Sequence, residues 1–112
     1  MKLVVALLRP HAVDPVRSAL GTFGVRGMTL SQATGYGIEL WRTQTYRGRA
    51  VHDESVSNAR VEVVVANDDV DAVISIILKT AASPNSGAGK IWVLPVDSAA
   101  RVRTGERGLD AL

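Results

Sequence analysis

The chain has no cysteine, few aromatic residues and no apolar run long enough to cross a membrane. Without cysteine it can have neither a disulfide framework nor a thiolate metal site. His11 and His52 are too far apart in sequence to suggest a metal pair. The opening MKLVVALLRP is too short for a signal segment and lacks a small-residue cleavage site, so it predicts a first strand. We expect a cytoplasmic protein with no metal site and no direct membrane insertion.

The chain also lacks a large excess of positive or negative charge. Thirteen basic residues against eleven acidic ones leave a net charge of +2. So small a charge attracts nucleic acid weakly, and we expect no such partner. Ten of the basic residues are arginine, whose forked guanidinium suits phosphate or carboxylate ligands. A length of 112 residues with 46% hydrophobic content predicts one folded domain over residues 1–112.

The chain repeats one pattern. VDPV from Val13 and VDAV from Val70 each follow an apolar strand and precede a glycine-containing turn into another strand. We expect Asp14 to cap the first helix and Gly24 to end it, and Asp69 to cap the second. The expected apolar faces consist of Val16, Leu20 and Phe23 in the first helix, and of Val70, Val73, Ile74, Ile77 and Leu78 in the second.

Four strands and two helices in the order βαββαβ predict an α+β, ferredoxin-like fold, with both helices on one face of an antiparallel sheet. The second strand begins near Met28, and RVEVVV from Arg60 forms the third. Side chains such as Val64, either Ile91 or Trp92, and Val93 are too apolar for a solvated sheet face. We therefore expect self-association to cover it.

A segment of about residues 36–59 joins strands two and three, where a hairpin needs only about 2–5 residues. Aromatic and arginine side chains in such a loop are typical anchors of protein interfaces. We therefore predict a partner-binding loop whose contact residues are Trp41, Arg42, Tyr46, Arg47 and Arg49.

The stretch SGAGKIWV from Ser86 resembles the end of a phosphate-binding P-loop. It lacks that motif's first glycine, since Pro84 stands there, and Ile91 replaces the hydroxyl residue after Lys90. The following IWVL also reads as a strand, whereas a P-loop leads into a helix. Two interpretations stay open at this point: a glycine-rich turn, or a phosphate loop over about residues 82–90 that follows a helix and precedes a strand.

Several segments together resemble the PII signalling proteins, trimeric ferredoxin-like regulators of nitrogen and carbon metabolism. They are MKLVVALLRPHAVDPVRSAL, GVRGMTLSQATGYG, TYRGR, RVEVVV, GAGKIWVLPV and, in a tail of about residues 99–112, RVRTGERG. The resemblance covers nearly the whole chain. It implies a homotrimer that binds ATP, ADP or AMP in clefts between subunits, and a long loop that docks onto a target protein.

The resemblance also implies a set of nucleotide-binding residues. Gly87, Gly89 and Lys90 match the positions that line the phosphates, and Arg101 and Arg103 match those that reach them from a neighbouring subunit. Alternate strand positions would place these two arginines on one side. The remaining matches around the nucleotide are Thr29, Gly35, Gly37, Glu62 and Val64, with Glu62 and Val64 near the base.

Some positions depart from the family pattern. Ile38 and Glu39 replace an arginine and a glutamine, and Asn58 replaces a lysine, where that glutamine and lysine help to hold Mg–ATP and 2-oxoglutarate. A carboxylate at residue 39 and the lost charge at residue 58 both disfavour these anions, so we do not expect ordinary 2-oxoglutarate sensing. Val51 and Arg49 stand at positions that are modified in other members, which predicts no modification at either position.

These features predict a non-catalytic PII-like regulator that controls a transporter or a metabolic enzyme through its loop. An alternative within the same fold is a regulator of inorganic carbon metabolism that responds to bicarbonate or another small anion. A small phosphohydrolase using Arg9 and Asn58 is a further alternative. It is disfavoured because no glycine cradle surrounds Arg9 and no nucleophile has an adjacent base.

Overall fold

The computed structural model describes residues 1–36, 42–46, 49–53, 55–82 and 89–112. Within these ranges the chain forms two helices and six strands. They are β1 (Lys2–Leu8), α1 (Val13–Phe23), β2 (Thr29–Tyr36), β3 (Arg42–Tyr46), β4 (Arg49–Asp53), β5 (Ser55–Val65), α2 (Val70–Ala81) and β6 (Lys90–Pro95).

The main sheet has four strands in the order β2-β5-β1-β6, and every neighbouring pair is antiparallel. Val5 in the central strand β1 pairs with Glu62 on one side and with Trp92 on the other. Beyond β5, Glu62 pairs with Thr29 at the start of β2. This mixed α+β architecture is consistent with the ferredoxin-like fold and confirms the fold predicted from the sequence.

The hydrophobic core lies between the two helices and one face of this sheet. Alternate residues of β1 and β5 point toward the helices because side chains change face at every residue of a strand. Each fully buried aliphatic side chain contributes about 1.5–3 kcal/mol by leaving water. The core residues are Val4, Ala6 and Leu8 of β1, Val61, Val63 and Val65 of β5, Val16 and Leu20 of α1, and Val73 and Ile77 of α2.

The start of α1 differs from the prediction, whereas α2 begins after Asp69 as predicted. A short 3-10 turn, Pro10–Ala12, precedes α1, and Ala12 rather than Asp14 occupies the N-cap position. The prediction for Asp14 was wrong: it lies in the first turn and pairs with Arg17 at 3.2 Å. Asp69 does occupy the N-cap position of α2, but its side chain makes no capping hydrogen bond there.

At the C-terminal end of α1 the prediction is confirmed for Gly24 and wrong for Phe23. Gly24 ends the helix with φ of 120°, and its N–H donates to the carbonyl oxygens of Leu20 and Gly21, both at 3.1 Å. This φ favours glycine because a Cβ is disfavoured there. Phe23 was predicted to lie on the buried face, but it is 42% exposed, since the helix ends at this residue.

The segment predicted as a long loop contains regular structure. β2 extends to Tyr36 and β5 begins at Ser55, where these two residues pair. Between them β3 and β4 form a two-stranded antiparallel sheet. The segment therefore begins and ends at the paired residues Tyr36 and Ser55, and it contains the paired strands β3 and β4.

Candidate functional site

The sheet face away from the helices carries most of the predicted nucleotide residues that the structure describes. Thr29, Glu62, Val5 and Trp92 form one row across the four strands, because each pairs with the next. Ser31, Arg60, Leu7 and Lys90 form the adjacent row, two residues further along each strand. By the same alternation Gly35 and Val64 lie on this face.

An open cleft of about 620 Å³ brings three of these residues together. Thr29 of β2 lines it with Glu62 and Val64 of β5. The Glu62 side chain is 30% exposed. The Glu62 carboxylate lies beside apolar residues of the cleft such as Phe23 and Val64, and it accepts hydrogen bonds but donates none, so this cleft suits a ligand with an apolar ring and a polar N–H or O–H group.

The cleft has two further walls that the sequence did not identify. Phe23 and the turn after it, including Gly24 and Arg26, form one wall. Leu109 and Leu112 of the C-terminal segment form part of the other. The exposed Phe23 had been grouped with the buried helix face by its spacing. The signal for its actual position is Gly24, which ends the helix before another turn can cover the ring.

Gly89 and Lys90 lie elsewhere in the same chain. They stand at the beginning of β6, where Lys90 pairs with Leu7, and they line a separate groove of about 400 Å³. Two strands, β5 and β1, lie between β6 and β2, which separates the outer strands by about 14 Å. Gly89 and Lys90 of one chain therefore do not line the cleft of Thr29 and Glu62. Gly87 lies outside the described residues.

Gly89 is in close contact with the neighbouring strand. A Cβ at this position would lie 3.0 Å from the carbonyl oxygen of Leu7. Real Cβ atoms rarely approach so closely, so a side chain here requires the backbone to shift by a few tenths of an ångström. Glycine at residue 89 thus lets the loop enter β6 directly beside β1.

Arg101 belongs to a compact turn. Its N–H donates to the carbonyl of Glu106 at 2.8 Å, and its carbonyl accepts from the N–H of Gly105 at 2.8 Å. Its half-buried guanidinium donates to the carbonyl of Leu112 at 3.1 Å. Gly105 has φ of 83°, a conformation that glycine adopts without strain.

Arg103 lies within this turn and is exposed. The expectation that Arg101 and Arg103 occupy alternate strand positions was therefore wrong, because residues 102–104 form a turn and not a strand. Their shared orientation does not follow from a strand, although both remain cationic and accessible. The Thr104 hydroxyl donates to the Glu106 carboxylate within the same turn.

That hydroxyl is the main cause of a lowered pKa at Glu106. A hydrogen bond from the backbone of Glu106 also lowers the pKa, as does the positive charge of Arg101, while desolvation opposes them. The folded turn therefore stabilises the ionised form of the Glu106 carboxylate.

The predicted partner-binding residues lie in or beside the hairpin of β3 and β4. Arg42 pairs with Asp53 at its open end, and Tyr46 pairs with Arg49 next to its turn. Trp41 and Arg47 lie outside the described residues. So do Gly37, Ile38, Glu39 and Pro84.

Asn58 is buried in β5, where it pairs with Ala33. Among the residues that the structure describes, no group of three or more His, Cys, Asp or Glu side chains could hold a metal ion. Within the same ranges, neither helix has the length and apolar character needed to span a bilayer.

Comparison with known proteins gives consistent matches. The family model described as Nitrogen regulatory protein P-II matches residues 1–106. Nitrogen regulatory protein P-II 2 of Methanothermobacter thermautotrophicus is 39% identical over 112 residues, which cover all of this chain and 97% of that protein. Nitrogen regulatory proteins P-II of Cereibacter sphaeroides and of Synechocystis are 37% and 38% identical over the full length of both chains.

Proposed function

The chain belongs to the nitrogen regulatory protein P-II family, and from this membership we propose that it binds an adenine nucleotide and thereby controls a target protein in the cytoplasm. Members of this family are regulatory proteins rather than enzymes. The observation that carries the nucleotide proposal is the open cleft lined by Thr29, Glu62 and Val64. Its apolar walls and carboxylate edge suit a nucleoside.

The proposed working form is a homotrimer. The sheet face without helices has partly exposed apolar side chains, including Trp92 and Leu94, the latter 42% exposed. Water-exposed apolar surface of this kind favours association. Assembly also supplies what one chain lacks, since Gly89 and Lys90 lie across the sheet from the cleft. In the trimer a neighbouring subunit brings its cationic residues to the tail of the bound nucleotide.

The phosphate end of the proposed site combines three kinds of group. Gly87 and Gly89 let backbone N–H groups approach phosphate oxygens, and Lys90 supplies a compact charge. Arg101 and Arg103 add two guanidinium groups that can bind phosphate through paired N–H groups. Gly35 and Gly37 contribute close backbone approach near the loop. We propose that ADP or AMP binds at least as readily as ATP.

The second effector of many family members is not part of this proposal. Asn58 is buried and neutral where the family pattern has lysine. Glu39 places a negative charge where the pattern has a neutral amide. Both changes disfavour Mg–ATP together with 2-oxoglutarate, because like charges near one another repel.

The proposed output is the loop of about residues 36–59. Its hairpin contains Arg42, Tyr46 and Arg49, and the adjoining positions of the sequence are Trp41 and Arg47. Arginine and aromatic residues dominate binding energy in many interfaces. We propose that this segment docks onto a transporter or a metabolic enzyme, and that the bound nucleotide decides its position.

Calorimetry with ATP, ADP and AMP, each with and without 2-oxoglutarate, tests the proposal. We expect binding of all three and no gain from 2-oxoglutarate. Replacing Arg101 or Arg103 by alanine should weaken ATP by about tenfold or more, because a hydrogen bond to a charged group is worth about 1.5–3 kcal/mol. Arg107→Ala removes the same charge from the same exposed tail and serves as the matched control.

Two results would overturn parts of the proposal. Absence of nucleotide binding, or equal affinity in the Arg101 and Arg103 variants and the wild type, refutes the assigned site. Strong synergy between Mg–ATP and 2-oxoglutarate refutes the interpretation of Glu39 and Asn58. The mass in solution, measured by light scattering, must be three times that of one chain.

A further inference from the structure

Arg60 contacts two side chains of the open sheet face. Its Nε donates to Oε1 of Glu62 at 2.7 Å. Its guanidinium carbon lies 5.6 Å from the centroid of the Trp92 ring. This separation falls within the range of cation–π attraction, in which the flat guanidinium is held over the aromatic face. Arg60 therefore connects a residue of the nucleoside cleft with a residue of β6.

The path of the Arg60 side chain explains how it reaches both. Arg60 and Glu62 lie on β5, whereas Trp92 lies on β6, on the other side of β1. The side chain crosses above β1, where Val5 has 0% exposure although no helix covers this face. Neighbouring side chains on this face therefore shield Val5 from solvent.

We propose that Arg60 is a positioning residue that fixes the Glu62 carboxylate at the nucleoside end of the site, with the Trp92 ring as its support. This inference rests on the proposed nucleotide-binding function. A carboxylate with one oxygen held by Arg60 directs its remaining lone pairs in a limited range. It then favours ligands that offer a hydrogen-bond donor in that direction.

Two groups of an adenine nucleotide can supply the donor. One is the 6-amino group of the base, and the other is a ribose hydroxyl. Inosine triphosphate has a carbonyl in place of the 6-amino group, and 2′-deoxyATP lacks one hydroxyl. The ratio of the affinity for ATP to the affinity for each analogue measures how strongly Glu62 selects for the amino or hydroxyl group that the analogue lacks. Contacts to the phosphates are the same in both ligands and cancel in the ratio.

An ordinary surface ion pair is the competing interpretation. The Arg60 and Glu62 side chains are 39% and 30% exposed, and pairs of similar exposure often contribute little. Support from Trp92 distinguishes the two interpretations. If the Trp92 ring orients Arg60, then removing the ring and removing Arg60 both disturb the contact between Arg60 and Glu62. Their effects on the affinity ratio are then not additive.

The experiment measures the three affinities in the wild type, Arg60→Met, Arg60→Lys, Trp92→Leu and the Arg60→Met/Trp92→Leu double variant. We expect one analogue to bind the wild type about tenfold or more weakly than ATP, since a charged acceptor is left without its donor. Arg60→Met should bring this ratio close to one. Trp92→Leu should lower it in part, and the double variant should match Arg60→Met.

Arg17→Met is the matched control, because Arg17 also pairs with a carboxylate, that of Asp14, but on the surface of α1. It should leave the ratio unchanged. Arg60→Lys keeps the charge without the planar fork, so it should fold and still lose most of the discrimination. The proposal is overturned if Arg60→Lys keeps the full ratio, or if neither analogue is discriminated by the wild type.

Fluorescence separates this inference from the proposed function. In a Trp41→Phe background, Trp92 is the sole tryptophan of the chain. Arg60→Met should change its emission, and Glu62→Gln should change it in the same direction, because Glu62 holds Arg60 over the ring. If the wild type binds no nucleotide, the proposed function fails. Unchanged emission in both variants then overturns the link among the three residues as well.

Discussion

Replacement of Gly89 by alanine tests whether the close approach of β6 to β1 limits the residue at this position. The added Cβ would lie 3.0 Å from the carbonyl oxygen of Leu7, which belongs to the backbone and cannot rotate away. Overpacking of this size costs about 1–3 kcal/mol. Alanine also reduces the conformational entropy of the unfolded chain, and this stabilises the folded state by about 0.4–1 kcal/mol. We therefore expect a net loss of about 1 kcal/mol, and at most about 2.6 kcal/mol.

Gly27→Ala provides the matched control. No atom lies within 4 Å of a Cβ built at Gly27, so only the effect on the unfolded chain remains. This variant should be neutral or gain about 0.4–1 kcal/mol. Urea denaturation at one fixed protomer concentration gives both values, because the stability of an oligomer depends on concentration.

The two variants must differ in sign or clearly in size. If Gly89→Ala is as stable as Gly27→Ala, the approach to Leu7 does not limit this position. Because Gly89 adjoins Lys90, we also expect Gly89→Ala to weaken ATP binding, with the wild type as the reference for affinity, since Gly27 itself lines the cleft. A destabilised variant that keeps wild-type affinity would remove Gly89 from the proposed phosphate site.

Two further predictions concern the core and the C-terminal turn. Ile77 is 1% exposed, so Ile77→Ala should lose about 2–5 kcal/mol in urea denaturation, whereas Leu78→Ala, at a residue 59% exposed, should lose far less; equal losses would contradict the assigned core. The pKa of Glu106 is lowered below 4.5, chiefly by Thr104, so its contribution to stability is present above pH 4.5 and is lost as the pH falls through the lowered value. Thr104→Val should raise the Glu106 pKa in an NMR titration of the carboxyl group, and an identical titration in both proteins would contradict this.

The sequence predicted the main sheet well, because its signals were periodic. Alternating valines in β5 and the apolar spacing of α2 reflect burial against one shared core, and burial decides these elements. Leu78 is the exception, since it was predicted on the buried face of α2 but is 59% exposed. Asp14 shows the limit of local signals. Its capping role depends on where the first turn begins, and a 3-10 turn at Pro10–Ala12 moved that point by two residues.

The hairpin of β3 and β4 and the turn around Arg103 were not predicted, for a related reason. The hairpin sequences RTQTY and RAVHD show no sustained alternation of apolar residues, and residues 102–105 of the turn are exposed. Their structure comes from backbone pairing and from turn residues such as Gly105. The cleft was predicted only in part, since Phe23 and Leu112 reach it through the ends of elements and not through a motif.

The ladder between β2 and β5 gives a physical basis for the link between ligand and loop. It runs without interruption from the pair Thr29–Glu62 to the pair Tyr36–Ser55, where the loop begins. Eight paired residues span about 24 Å, and a paired ladder resists bending locally. A ligand that contacts only the end at Thr29 and Glu62 therefore has little means of moving the loop.

The phosphate end of the proposed nucleotide is in a different situation. Gly35 is one residue from the end of β2, and Gly37 follows that end directly. In the proposed complex, phosphates approaching these glycines act at the end of the ladder between β2 and β5. AMP, ADP and ATP share the nucleoside but differ in how many phosphates reach this point. We therefore expect the position of the loop to depend on the number of phosphates more than on occupancy of the cleft.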